Sequence, residues 1–181
     1  MTQRTGNIYF CGMIGSGKST VGARLSFDLE LPFLDLDREM DRTLGHSFHR
    51  LVRERGWVAF RELEYSICKR FARLERSLIC LGGGTVRYEW NMDVLRGTGL
   101  TILLTASLDE LATRVRAADR PRVNAGTTLE EDLQRIWTES KDKYRRAADL
   151  TCDTTGKSVD QLVAELGPVL RSHLSGGFSP H

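Results

Sequence analysis

The sequence predicts a three-layer α/β fold in which a five-stranded parallel sheet lies between helices on both faces. Short apolar runs recur along the chain. Their length and their β-branched and aromatic content are typical of strands buried on both faces. Amphipathic segments separate these runs, and strands that alternate with helices favour right-handed crossovers into a doubly wound sheet.

The predicted elements alternate along almost the whole chain. Strands are predicted at residues 7–11, 31–35, 77–81, 100–104 and 150–153. Helices are predicted at residues 18–29, 40–44, 48–55, 57–73, 88–96, 109–117, 129–147 and 158–174. Capping pairs mark the start of two of these helices, Ser107 with Glu110 and Ser158 with Gln161.

Two segments interrupt the alternation. Residues 38–71 read as helical between two strands, which indicates a small helical lobe over the sheet. Residues 118–128 contain Pro and Gly and have no apolar period, which is typical of a loop that opens and closes. We therefore expect a single domain over residues 1–174, with a helical lobe at 38–71 and a mobile lid at 118–128, and a flexible tail at 175–181.

Length and composition exclude several classes of protein. With 181 residues, 40% apolar and 28% charged, the chain is expected to build one core and is neither disordered nor fibrous. No apolar run approaches the ~20 residues that span a bilayer, and the first residues lack the layout of a signal peptide. A net charge of +2 is too balanced to indicate a nucleic-acid-binding surface. The four cysteines form no paired motif, which favours free thiols and a cytoplasmic location. We expect a monomer that binds a small-molecule substrate, without a membrane or nucleic-acid partner.

A glycine-rich motif predicts a phosphate-binding loop. Residues 12–19 read GMIGSGKS and match the pattern GxxxxGK[ST] between a predicted strand and a predicted helix. Glycines let backbone N–H groups converge on one phosphate, and the helix N-terminus adds partial positive charge. Lys18 would contact the β- and γ-phosphate oxygens, and the Ser19 hydroxyl would reach a magnesium ion. The motif predicts that a nucleoside triphosphate binds to Gly15, Ser16, Gly17, Lys18, Ser19 and Thr20.

Two aspartates and three glycines follow predicted strands. Asp35 and Asp37 end the second strand at a spacing that lets both carboxylates project from one edge. One could orient the metal ion while the other accepts a proton from a hydroxyl group, although Asp37 would also suit the N-cap of the next helix. Gly82, Gly83 and Gly84 follow the third strand at the edge where open α/β sheets bind ligands. A substrate could therefore touch their backbone, whereas a tight turn alone explains only one or two of these glycines.

Three arginines are candidate anion ligands. Arg61 lies in the helical lobe, and its planar guanidinium suits a substrate carboxylate, although most arginines on helices are solvated. Arg120 and Arg122 flank Pro121 in the predicted lid. A lid arginine that closes over the β- and γ-phosphates would stabilise developing charge and exclude water.

Taken together, these residues resemble the shikimate kinase family of small P-loop kinases. The phosphate-binding loop is common to many kinases, whereas the other motifs at these spacings are specific. The resemblance implies a P-loop kinase fold, with ATP and Mg²⁺ as cofactors, and phosphorylation of shikimate to 3-phosphoshikimate in aromatic amino-acid biosynthesis. In the family's order, the matching residues are 15–20 of the loop, Asp35 and Asp37, Phe60 and Arg61 with Glu64, Gly82 to Gly84, and Arg120 with Pro121.

The resemblance also implies which residues bind shikimate. Asp37 would bind the ring hydroxyls close to the attacking oxygen, and Arg61 would pair with the carboxylate. Gly83 and Gly84 would contact the ring through their backbone. The helical lobe would then be the substrate-binding lobe.

The nucleotide end of the site is implied in the same way. Ser19 and Asp35 would bind magnesium, with Asp35 acting directly or through water. Lys18 and Arg120 would stabilise the transferred phosphoryl group. The implied catalytic residues are Lys18, Asp37 and Arg120.

One position departs from the family's pattern. The family usually carries a second carboxylate-binding arginine four residues before a tyrosine, which is Tyr144 here, and Ser140 stands in its place. Lys143, Arg145 or Arg122 could supply the missing cation. Loss of one charge-assisted contact costs about 1.5–3 kcal/mol, so an unreplaced arginine would weaken shikimate binding or indicate another substrate.

Three alternative functions are weighed at this point. Ser140 keeps open a kinase for gluconate, quinate or another small hydroxylated acid. A nucleoside-monophosphate kinase fits less well, because the glycines and the single Arg61 suit a small acid. Outside enzymes, the alternative is a nucleotide-binding regulator without turnover, against which the intact set of Lys18, Ser19, Asp35, Asp37 and Arg120 argues.

Overall fold

The sheet is parallel throughout and places the first strand at its centre. The computed structural model describes residues 6–117 and 126–176. These described residues form five strands, β1 (Asn7–Cys11), β2 (Phe33–Asp35), β3 (Leu78–Cys80), β4 (Gly99–Thr105) and β5 (Leu150–Asp153). The strands pair in the order β2-β3-β1-β4-β5. The predicted five-stranded parallel sheet is confirmed.

The helices lie between the strands, as the alternating pattern predicts. Within the described residues they are α1 (Lys18–Asp28), α2 (Leu36–Leu44), α3 (Phe48–Phe71), α4 (Glu89–Leu95), α5 (Leu108–Ala117), α6 (Leu129–Ala147) and α7 (Val159–Leu174). A short 3-10 turn, Thr85–Arg87, follows the three glycines, and the sequence pattern does not predict it. The capping pair predicted at Ser158 is complete. At Ser107 only one half is formed: Ser107 Oγ accepts the Glu110 N–H at 3.3 Å, while the Glu110 carboxylate pairs with Arg114.

Both faces of the sheet are buried. Successive residues of β1 point to opposite faces, so that Ile8 and Phe10 face one side while Tyr9 and Cys11 face the other. Helices α1 and α7 cover the first side, and the other helices pack on the second. Burying each large apolar side chain contributes about 1.5–3 kcal/mol, which explains why the strands read as continuous apolar runs.

The start of α2 corrects the sequence-based reading of the two aspartates. The helix begins at Leu36 rather than at residue 40. A carboxylate oxygen of Asp35 accepts the backbone N–H of Arg38 at 3.3 Å and thereby caps the helix. Asp35 is therefore the N-cap residue, and Asp37 lies in the first helical turn instead of at the end of a strand.

The helical lobe consists of α2 and α3, which pack against each other. Gly56 has φ 78° and ψ 179°, so the helical path breaks where the sequence predicts a boundary between two helices. Arg120 and Arg122 of the predicted lid, and residues 177–181 of the predicted tail, lie outside the described residues. Within the ranges 6–117 and 126–176, no helix combines the length and apolar character of a membrane span.

Candidate active site

A crevice of about 850 Å³ opens where the carboxyl ends of β1, β2 and β3 meet. Parallel strands place these ends on one edge of the sheet, which is where open α/β folds bind ligands. The crevice brings together most of the residues that the sequence singles out. Gly15, Gly17, Lys18, Ser19, Thr20, Asp35, Asp37, Arg61, Gly83 and Gly84 line it. Ser16 is buried beside them within the glycine-rich loop.

The glycine-rich loop has the shape of a phosphate cradle. Gly12 has φ 141° and passes so close to β4 that a Cβ atom would lie 2.2 Å from the carbonyl oxygen of Leu104. Gly17 has φ 93° and precedes α1 without a side-chain cap, so the N-terminal N–H groups of the helix are available to an anion. Lys18 Nζ donates to the carbonyl oxygens of Gly12 at 2.8 Å and Met13 at 3.0 Å, which holds the ammonium group over the loop.

A hydroxyl group and a carboxylate meet beside this loop. Ser19 Oγ donates a hydrogen bond to Asp35 Oδ2 at 2.6 Å. Among the residues that the structure describes, no three His, Cys, Asp or Glu side chains form a metal-binding cluster. Mg²⁺ prefers oxygen ligands, keeps several waters and binds through one or two carboxylates together with substrate phosphates. The donor pair of Ser19 and Asp35 fits such an ion.

The three glycines bring two functional side chains close to the floor of the crevice. A Cβ atom on Gly82 would lie 3.1 Å from Asp37 Oδ1. A Cβ atom on Gly84 would lie 3.3 Å from Arg61 Nη2. Glycine at these positions therefore leaves room for a carboxylate and a guanidinium group on the same floor.

Arg61 is held in a defined orientation on α3. Its Nη1 donates to Glu64 Oε2 at 2.7 Å, and its Cζ lies 4.7 Å and 4.2 Å from the ring centroids of Phe60 and Tyr88. The Nε atom is buried and has no hydrogen-bond partner among the described residues. Because Arg presents paired donors to a carboxylate, this arrangement is suited to an acidic substrate.

Glu64 anchors Arg61 from below. The carboxylate of Glu64 is buried, with 1% of its side chain exposed. It also accepts hydrogen bonds from Thr85 Oγ1 at 2.8 Å and from Asn91 Nδ2 at 3.1 Å. A buried carboxylate is stable only when its oxygens are paired in this way. The hydrogen bonds from Thr85 and Asn91 to Glu64 join α3 to the segment that follows the three glycines.

Tyr144 closes the far side of the floor. Its side chain is fully buried, and its hydroxyl donates to the carbonyl oxygen of Gly83. Burial raises the pKa of Tyr144 above its usual value, while the guanidinium groups of Arg87 and Arg61 act in the opposite direction. The hydroxyl group therefore stays protonated and remains a donor to Gly83.

Three further arginines line the crevice, and sequence reasoning missed all of them: Arg87, Arg114 and Arg135. Arg114 Nη1 donates to the carbonyl oxygen of Gly15 at 3.3 Å and to Thr154 Oγ1 at 2.9 Å, which ties α5 to the phosphate-binding loop. No sequence signal separates Arg114 from the other charged residues of α5.

The two candidates on α6 for a second carboxylate-binding cation, Lys143 and Arg145, lie outside the lining of the crevice. The turn of α6 that buries Ser140 and Tyr144 directs Lys143 to solvent, outside the crevice. Arg145 is also exposed and lies 6.0 Å from the ring centroid of Trp137. At about 100° per residue, Lys143 and Arg145 each lie about 100° around the helix from the buried Tyr144, which places both towards solvent.

Comparisons with known proteins agree with this geometry. A shikimate kinase family model matches residues 14–171. The shikimate kinase of Chlorobium luteolum is 35% identical over 174 residues, which cover 92% of this chain and 86% of that protein. The shikimate kinase of Geobacter sulfurreducens is 34% identical over 168 residues, which cover 92% of both chains.

Solved structures show the same relationship. The structure of shikimate kinase from Acinetobacter baumannii in complex with shikimate superposes with a TM-score of 0.85 at 26% identity. The match covers 96% of this chain and 95% of that chain. The family model spans most of the sequence, and the fold agrees over nearly its full length. The chain therefore belongs to the shikimate kinase family.

Proposed function

We propose that this protein transfers the γ-phosphoryl group of ATP to shikimate and releases ADP and 3-phosphoshikimate. One observation carries the proposal: a single crevice holds a phosphate-binding loop at one end and Arg61, a guanidinium suited to a carboxylate, at the other. The Acinetobacter relative, whose solved structure contains shikimate, supports the choice of acid. Both substrates would meet between these two ends, so that catalysis would consist mostly of positioning and electrostatic stabilisation.

The nucleotide binds at the loop of residues 12–19. The N-terminal N–H groups of α1 point at the phosphates, and Lys18 moves from its carbonyl acceptors onto the β- and γ-phosphate oxygens. Ser19 and Asp35 would hold Mg²⁺. When bound, Mg²⁺ neutralises charge on the phosphates. Lys18 then stabilises the charge that develops on the γ-phosphoryl group.

The acid binds over the three glycines. Arg61 pairs with its carboxylate, and the backbone of Gly83 and Gly84 contacts its ring. Asp37 accepts a hydrogen bond from the hydroxyl group that attacks phosphorus, and takes its proton as the new oxygen–phosphorus bond forms. The half-buried position of Asp37 against Gly82 supports this role, because it directs the carboxylate to the floor where the ring would lie.

Arg120 completes the proposed machinery from outside the described residues. We keep it as the lid arginine that stabilises the transferred phosphoryl group, with residues 118–128 as the lid. The chain is proposed to act as a monomer. Its four buried cysteines are free thiols, which supports a cytoplasmic location.

A coupled assay of ADP release tests the proposal. The enzyme is supplied with ATP, Mg²⁺ and one acid at a time from a panel of shikimate, quinate and gluconate. We expect ADP release with shikimate and a product phosphorylated at the 3-hydroxyl group, identified by NMR. Release with quinate or gluconate but not with shikimate would assign a different acid. Tight ATP binding without release for any acid would indicate a regulator.

A further inference from the structure

Arg87 brings a second guanidinium group to the acid end of the crevice. It ends the 3-10 turn that follows Gly84, and it lines the same crevice as Arg61. Its side chain is 27% exposed. The positive charges of both arginines lower the pKa of the buried Tyr144 hydroxyl, against the larger effect of burial, which raises it. Two positive groups from separate elements therefore line the same crevice.

The partner of Arg87 holds it only loosely. Arg87 Nη2 lies 3.9 Å from Glu139 Oε2, which is beyond hydrogen-bond distance, and the side chain of Glu139 is 52% exposed. In contrast, Arg61 forms a 2.7 Å ion pair with the buried Glu64. A long, solvent-exposed pair contributes little to stability, so the charge of Arg87 is available to a stronger partner.

The other two arginines of the crevice, Arg114 and Arg135, donate hydrogen bonds to protein acceptors. Arg114 Nη2 donates to Glu110 Oε1 at 2.7 Å and to the carbonyl oxygen of Thr154 at 2.9 Å. Arg135 Nη2 donates to Asp132 Oδ1 at 3.2 Å. Among the described arginines that line the crevice, Arg87 alone is without a hydrogen bond from its guanidinium group to a protein acceptor.

The adjoining turn of α6 offers no charge to replace Arg87. Ser140 follows Glu139 on this helix, is buried and is neutral, while Lys143 faces solvent. A carboxylate that reached Arg61 over the glycines would therefore meet its second cation from the turn after β3.

We propose that Arg87 is the second carboxylate-binding residue of this enzyme, and that its guanidinium moves from Glu139 onto the carboxylate held by Arg61. This inference rests on the proposed function, because it concerns how the same acid is recognised. Two arginines on one carboxylate make recognition depend on negative charge. An uncharged ester of the same ring would lose both ion pairs.

Steady-state kinetics of Arg87→Ala and Arg87→Lys test the inference, with shikimate and its methyl ester as alternative substrates. We expect Arg87→Ala to raise KM for shikimate on the order of 10- to 100-fold, the effect of losing one charge-assisted hydrogen bond. KM for ATP and kcat/KM for the methyl ester should stay at their wild-type values. Arg87→Lys should restore part of the loss. Arg96→Ala is the matched control, since Arg96 is a surface arginine paired with Glu89 outside the crevice.

A second variant changes KM in the opposite direction. Glu139→Gln removes the competing carboxylate and should lower KM for shikimate about two- to fivefold, the range expected for an exposed pair. This variant leaves Arg87 in place, so it tests the inference even if Arg87→Ala folds poorly. Thermal unfolding of each variant checks the fold.

The outcomes separate this inference from the proposed function. Wild-type turnover of shikimate with an unchanged KM in Arg87→Ala would overturn the role of Arg87 and leave the proposed function intact. A rise in KM for shikimate in Arg135→Ala instead would assign the second cation to α6. Absence of wild-type turnover with shikimate would overturn the proposed function, and with it the inference.

Discussion

Glu64 Oε2 accepts a hydrogen bond from Arg61 Nη1 at 2.7 Å, and the same buried carboxylate binds Thr85 and Asn91. The proposed carboxylate-binding arginine is therefore fixed to the segment that follows the glycine floor. Glu64 acts on the crevice through its ion pair with Arg61, so we regard it as a positioning residue. Its effect on the reaction should pass through Arg61.

Replacing Glu64 by Gln should raise KM for shikimate and lower the free energy of unfolding by about 1.5–3 kcal/mol. The amide group keeps one acceptor oxygen, but its NH₂ group would face a donor that now donates to the second carboxylate oxygen. Steady-state kinetics for each substrate and urea unfolding measure the two effects. Glu62→Gln, on the exposed side of the same helix, is the control. A destabilised variant with unchanged KM for shikimate would limit Glu64 to a structural role.

Lys18→Ala should lower kcat on the order of 100-fold or more, because the transferred phosphoryl group loses its point charge. The free energy of unfolding should change little. Single-turnover kinetics and urea unfolding measure these quantities. Lys141→Ala removes an exposed lysine from α6 and serves as the control. A rate close to that of the wild type would show that the loop of residues 12–19 is not the catalytic phosphate site.

Asp35 combines a helix cap with a proposed metal ligand, and two substitutions separate these roles. Asp35→Asn keeps a capping oxygen but removes the charge, so it should raise the Mg²⁺ concentration needed for half-maximal rate without loss of stability. Asp35→Ala should do the same and also cost about 0.5–2 kcal/mol of stability. Rates at fixed ATP over a range of free Mg²⁺, together with urea unfolding, distinguish the two. An unchanged Mg²⁺ dependence in both variants would remove Asp35 from the metal site.

Gly82→Ala should impair the reaction by displacing Asp37. The new Cβ atom would lie 3.1 Å from Asp37 Oδ1 and 3.0 Å from Thr85 Oγ1, so at least one of these side chains must shift. A displaced catalytic group can lower kcat on the order of 10- to 100-fold. Kinetics with both substrates measure the effect. Wild-type kcat in a folded variant would show that the approach of Asp37 to Gly82 is unimportant for turnover.

The thiols of the native protein should react slowly with Ellman's reagent at pH 8. Burial raises the pKa of Cys11 to about 12 and that of Cys152 to about 11, so the reactive thiolate is scarce well below those values. Reactivity should increase only as the pH approaches these pKa values. All four cysteines should react at once in denaturant. Rapid reaction of a native thiol at pH 8 would contradict the burial that the structure describes.

The sheet and the phosphate-binding loop were accessible to sequence reasoning because both are local patterns. Buried parallel strands must be apolar on both faces, and the loop places its residues between one strand and one helix. The break at Gly56 was also predictable from the two flanking helical patterns. The start of α2 was not predictable, because Asp35 and Asp37 are both good caps and β2 has only three residues.

From the sequence alone, the arginines that line the crevice could not be distinguished from the arginines that lie in solvent. Arg87 lies after three glycines, where the direction of the chain depends on the 3-10 turn and on its packing with α6. Arg114 lies on an amphipathic helix that has several other charged residues. Their positions depend on tertiary packing, which the one-dimensional pattern does not record.

The passage of Gly12 against β4 also limits how this protein can evolve. Any side chain there would overlap the Leu104 carbonyl oxygen, which belongs to the backbone of the sheet and cannot rotate aside. A library that randomises this codon and selects for active enzyme should return glycine alone. Neighbouring strands would have to separate before another amino acid became acceptable, so divergence of the family should be slowest at this contact.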